Sequence, residues 1–110
     1  MTTDFMLSKK ISARELFDGR LKKFGIREEI DADNDGKWSR CLTDGSQFLV
    51  VFLTEDGFVD FLWAYGADAP RKILHAICKV FGAEIFSEHE PQFWVLWDAA
   101  WKERSRVMPP

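Results

Sequence analysis

Two Asp-Gly dipeptides, Asp44-Gly45 and Asp56-Gly57, separate three runs rich in β-branched and aromatic residues: KWSRCLT, SQFLVVFLT and FVDFLWAY. Asp-Gly between such runs is the strongest short-range hairpin signal a sequence offers. The stretch from Trp38 to Tyr65 is therefore expected to fold as an antiparallel meander, against which everything else must pack. In the third run Val59, Phe61, Trp63 and Tyr65 alternate with Phe58, Asp60, Leu62 and Ala64, and a period of two places the two sets on opposite faces. The second run, Phe48 to Leu53, is apolar on both faces. Such a strand belongs in the centre of a sheet and needs cover on both sides, or it marks a surface that a partner covers.

Helices are expected on either side of the meander. Ser12 with Glu15 three residues later reads as a capping box that opens a helix running to about Phe24 and ending at Gly25. Leu16, Phe17, Leu21 and Phe24 form its apolar stripe, and Lys9, Lys10, Arg14, Arg20, Lys22 and Lys23 form a solvated basic face. Gly19 weakens this helix by about 1 kcal/mol relative to alanine, so packing must hold it. Residues 26 to 36 form an acidic connection in which Ile26 and Ile30 tack a short extended piece to the core. Asp68 and Pro70 suit the start of a second helix, whose stripe is Ile73, Leu74, Ile77, Cys78, Val80 and Phe81 and whose end is Gly82. Ala83 to Ser87 is a short strand, and Phe93 to Arg104 a third helix with Phe93, Trp94, Leu96, Trp97, Ala100 and Trp101 around most of its circumference.

The expected architecture is thus a single α+β domain over residues 1–110. An antiparallel sheet of three to four strands carries about three helices packed mostly on one face, in the order α-β-β-β-α-β-α. Residues 1–8 and 105–110 are expected to fray. At 110 residues the chain buries roughly two-thirds of its unfolded surface, and folding requires no cofactor. The two cysteines, Cys41 and Cys78, have no metal spacing and no CxxC pattern, and read as small hydrophobes in a reducing compartment. With no signal-peptide pattern and no apolar run longer than FLVVFL, the chain is expected in the cytoplasm and not in a membrane.

Charge is unevenly distributed. Residues 1–25 carry a net +3, residues 26–69 a net −7 and residues 70–110 a net +1. Phosphate neutralisation needs clustered Lys and Arg, so the acidic meander argues against direct binding of nucleic acid and suits a basic protein surface. Ten Phe, five Trp and one Tyr are many for this length, and aromatic side chains both fill cores and anchor interfaces.

Few motifs carry chemistry. Asp31-Ala32-Asp33-Asn34-Asp35-Gly36 has the opening spacing of a calcium loop, where Asp31, Asp33 and Asp35 would converge on one ion. The twelfth position, which needs a bidentate acid, is Leu42, so an Asp-rich turn is the competing reading. Glu88, His89 and Glu90 offer metal ligands or an acid-base pair, yet consecutive residues point in different directions and no second His or Cys lies at ligand spacing. They equally read as charges at the start of the third helix. No GxSxG, HExxH, GxGxxG or phosphate-binding loop is present.

In LTDGSQFLVVFLTEDGFVDFLWAYG, KILHAICKVFG and IFSEHEPQFW the chain resembles a family of short uncharacterised bacterial proteins of the form LTDG, YG, KIL and SEyEPQfW. The resemblance spans about residues 40 to 98 and departs from the pattern at Val95-Leu96. It implies a bacterial or mobile-element origin and no particular activity.

The expected function is that of a non-catalytic cytoplasmic module that binds another protein, or a second copy of itself, as nuclease or toxin inhibitors of the immunity and anti-CRISPR types do. The candidate interface residues are Asp56, Asp60, Trp63, Glu88, Glu90, Trp94, Trp97 and Trp101. A calcium-responsive domain and a small metal-dependent or acid-base enzyme are the alternatives.

Overall fold

A computed structural model describes residues 2–29, 38–66 and 68–107. Its elements are β1 (Thr2–Ser12), α1 (Ala13–Leu16), a 3-10 turn (Lys22–Phe24), β2 (Arg27–Glu29), β3 (Ser39–Thr43), β4 (Phe48–Leu53), β5 (Phe58–Tyr65), α2 (Arg71–Phe81), β6 (Ile85–Ser87) and α3 (Pro91–Val107). The strands form one six-stranded antiparallel sheet in the order β2-β3-β4-β5-β1-β6. The meander is β3-β4-β5. Each of its two turns uses glycine in the left-handed region, Gly45 at φ 97° and Gly57 at φ 83°, a conformation costly for any residue bearing Cβ.

The N-terminal segment overturns the expected first helix and, over residues 2–8, the expected frayed tail. Thr2 to Ser12 is a strand that pairs with β5 on one side and, through Phe5 to Leu7, with β6 on the other. Phe5, Met6 and Leu7 are buried. Ser12 makes no side-chain cap, the helix that follows has four residues, and Ala13 N–H donates instead to the Gly57 carbonyl at 2.9 Å. Gly19, at φ 104°, breaks the chain before a longer helix can form. Long-range pairing of a buried segment outweighs a capping signal worth about 1 kcal/mol. The expected basic residues are all exposed, but on a strand, a short helix and a turn. The extended piece after Ile26 is β2, the edge strand.

One face of the sheet holds the main core. Leu42, Leu49, Val51, Val59, Leu62 and Ala64 pack with Phe5 and Leu7 beneath Leu16 of α1 and Ile73, Ala76 and Ile77 of α2. Helix α2 ends at Gly82, as expected, in the left-handed conformation at φ 63° with its N–H donating to the Cys78 carbonyl at 2.9 Å. Val59 does not share a face with Phe61, contrary to the simple alternation. Phe52 opposes Phe61 whereas Leu53 opposes Val59, so Asp60 is the extra residue of a bulge that turns Val59 to the face of Leu62. Nor do the helices lie on one face. Helix α3 covers the opposite face, where Trp97 meets Phe61 at 5.4 Å between ring centroids, and its helical backbone continues through Val107. Among the described residues no helix is long and apolar enough to cross a membrane.

Candidate functional site

The second face is covered unevenly. Register places Phe48, Val50 and Phe52 of β4 beside Cys41 of β3 and beside Phe61 and Trp63 of β5, all pointing away from the main core. Helix α3 reaches Phe61 and the β1-β6 side of the sheet but leaves the β3-β4-β5 half open. The result is an open groove of about 670 Å³, walled by Cys41, Phe48, Val50, Phe52, Trp63 and Tyr65, with Glu29, Arg40 and Asp68 the charged residues of its lining. Concave, mostly apolar surfaces with a few convergent polar groups are where proteins hold ligands and partners.

The groove continues into an unbroken ladder of rings. Tyr65 lies 4.8 Å from Trp63, Trp63 5.9 Å from Phe52, Phe52 5.2 Å from Phe61, and Trp97 5.5 Å from Trp101. Phe93 stacks on Trp97 at 5.8 Å and 16° and is the buried anchor of α3. Both ends of the ladder reach solvent: Tyr65 is 61% exposed and Trp101 49%, with Phe48 at 47% on the groove wall. Rigid aromatic area left in water is what interface hot spots are made of.

Of the residues singled out from the sequence, Trp63, Trp97 and Trp101 belong to this ladder. Trp94 stands beside it, edge-on to Phe93 at 4.9 Å, with its indole N–H donating to the Glu88 carbonyl at 3.1 Å. Asp56 is exposed in the β4-β5 turn and accepts a hydrogen bond from the Thr54 hydroxyl, which holds its carboxyl below the usual range. Asp60 is only 5% exposed at the bulge, a position that withdraws it from any surface a partner would meet.

Glu88 and Glu90 are not brought together either. Glu88 Oε1 accepts the Asp4 N–H at 3.2 Å, tying the turn to β1, while Glu90 Oε2 reaches back to the Ser87 N–H at 2.7 Å. The Ser87 hydroxyl in turn accepts the His89 N–H at 3.3 Å. The Glu88 carboxylate thus serves the backbone of β1 and the Glu90 carboxylate that of the turn that launches α3. Burial, and then the charge of Glu88 beside it, push the Asp4 carboxyl above its ordinary value. Among the described residues no three His, Cys, Asp or Glu side chains converge as metal ligands would. Asp31, Asp33 and Asp35 lie outside the described residues. Neither cysteine is in a disulfide, both are half-buried, and burial raises the Cys78 thiol.

Sequence reasoning passed over Phe48, Val50, Phe52, Cys41, Glu29 and Asp68 as site residues. The signal that could have found the first three was the two-faced apolarity of β4, which asked for a second cover that the described residues supply only in part. Compared with known proteins, the chain matches no family model, no curated protein and no solved structure.

Proposed function

We propose that this chain is a non-catalytic protein-recognition module of the cytoplasm that works by docking the open half of its sheet against another protein surface, in the manner of inhibitors that occupy a nuclease or toxin. The observation that carries this reading is the aromatic groove of β3-β4-β5, left open among the described residues and continuous with the ladder that ends at Trp101. Two acidic side chains stand at its rim, Asp68 and Glu29, the latter ion-paired with the exposed Arg27 at 3.5 Å. They suit basic side chains of a partner, whose cations also pack well on exposed aromatic faces. The acidic excess of residues 26–69 favours the same class of partner and should steer its approach.

The test uses Val50→Lys, which places a charge on the groove floor, beside Lys79→Glu on the outer side of α2. Proteins retained by the immobilised wild-type chain are identified, purified and titrated against all three forms. Val50→Lys should weaken binding at least ~10-fold, about 1.4 kcal/mol, while Lys79→Glu changes it little. Equal affinity for wild type and Val50→Lys removes the groove from the interaction.

A further inference from the structure

The outer side of the helical layer, across the sheet from the groove, has the opposite charge to the rest of the chain. Residues 19–26 and 70–83, which hold the 3-10 turn and α2, carry six Lys and Arg and no Asp or Glu, whereas all other residues carry nine against eighteen. The fold packs these two segments together. Lys23 Nζ from the turn and Lys79 Nζ from α2 stand 5.4 and 5.9 Å from the centroid of one ring, that of Phe24. Lys72 Nζ lies 3.5 Å from where a Cβ on Gly25 would stand, and Lys9 Nζ of β1 lies 3.9 Å from the same position on Gly82. The Arg20 guanidinium lies 6.0 Å from the Phe81 centroid and shares its charge with Asp18 at 2.9 Å. Among the described residues Lys9, Lys23, Lys72 and Lys79 are in no ion pair.

We infer that this face binds the phosphate backbone of nucleic acid, without regard to sequence. Charge complementarity selects a polyanion, and the make-up of the patch selects among polyanions. None of the large apolar side chains left exposed belongs to either segment, so the patch has no apolar anchor for a protein partner to bury or a bilayer to receive. What it offers is lysine, which meets phosphate as a mobile point charge and lacks the planar fork that pairs with carboxylate. Lys72, His75 and Lys79 share one stripe of α2 about 10 Å long, and duplex DNA carries one charge per ~1.7 Å of axis, so several phosphates come within reach at once.

The acidic excess that argues against nucleic acid belongs to the meander and its connections. Of those residues Asp44, in the β3-β4 turn, stands near enough to Lys72 to feel its charge. The two lysines on Phe24 are therefore the ones to change.

Fluorescence anisotropy of a labelled mixed-sequence duplex of roughly 24 base pairs, titrated with the full chain, tests the inference; about four phosphate contacts predict micromolar binding near 50 mM salt that weakens ~100-fold by about 200 mM. A second duplex of unrelated sequence should bind equally well. Lys23→Glu combined with Lys79→Glu should weaken binding at least ~10-fold and lower the slope of log Kd against log salt by about 2, while Lys102→Glu, exposed on α3 away from the patch, leaves that slope unchanged. Both patch positions are on the surface, so a far-UV melting curve of the double variant that overlays the wild type separates lost binding from lost folding. No binding near about 50 mM salt, or a slope that the double variant does not change, overturns the inference. So does a chain that binds polyglutamate or phosphatidylserine vesicles and leaves the duplex free. Val50→Lys, which tests the groove, should hold the duplex as the wild type does, so either face can fail without the other.

Discussion

Phe93→Ala is the substitution that isolates what α3 contributes to the fold. Phe93 is 1% exposed and is the buried ring through which α3 engages the sheet, stacked on Trp97 and edge-on to Trp94. Removing a buried Phe costs about 3–5 kcal/mol through lost transfer energy and the cavity left behind. Here Trp97 and Leu96 are only half-buried and can settle into the space, which puts the expected loss near the lower figure, about 3 kcal/mol. Against the roughly 5–15 kcal/mol of a typical domain this is a large fraction, equivalent to a fall in melting temperature of about 12 °C. Urea unfolding followed by both tryptophan fluorescence and far-UV circular dichroism measures it. Trp94, Trp97 and Trp101 report on α3, whereas dichroism weights the whole fold. Coincident transitions shifted to lower urea with an unchanged slope are expected. A loss below about 1 kcal/mol would show that α3 is not cooperative with the sheet, and a fluorescence transition preceding the dichroism would show that it detaches as a separate unit. Either result refutes the packing argument made for the second face.

Two further substitutions separate burial from surface charge. Asp60→Lys puts a long cation at the buried bulge and should destabilise the fold by about 3 kcal/mol or more, read as a lowered urea midpoint, whereas Asp56→Lys in the exposed turn should leave the melting temperature close to wild type. Comparable midpoints for both would mean that the bulge tolerates water. Asp4→Asn addresses the carboxyl held beside Glu88. Because its pKa is raised on folding, the folded chain holds this proton more tightly than the unfolded one, so the ionised carboxylate weakens the fold at neutral pH and that penalty fades as pH falls through the raised value. Asp4→Asn should therefore show a higher urea midpoint than wild type near about pH 7 and lose the advantage below about pH 4, and identical midpoints at neutral pH would remove the raised carboxyl from the account.

The meander was legible because its determinants are local. Glycine in a left-handed turn and alternating β-rich runs act within a few residues of one another, so β3, β4 and β5 fall inside the stretch expected for them, as do α2 with its stop at Gly82 and β6 after it. The tryptophans of the candidate site were legible as residues and not as a surface. Composition marks Trp63, Trp97 and Trp101 as available contact area, but which rings meet water follows from how much of the sheet α3 covers.

Tertiary structure decided the rest. Ser12 and Glu15 carry a helix signal, yet β1 gains a partner in β5, far along the chain, and buries Phe5 to Leu7, and that burial exceeds what a cap can return. The bulge at Asp60 adds a residue to one strand and not its neighbour, a mismatch that periodicity in a single strand cannot register. Helix α3 had apolar residues enough for either face of the sheet, and it takes the one that α1 and α2 leave vacant. The chain by itself determined which segments are strands of the meander and where they turn, because those choices depend on near neighbours. Which face each helix covers, and so which half of the sheet is left facing solvent, depends on contacts between distant segments whose energies no short window contains.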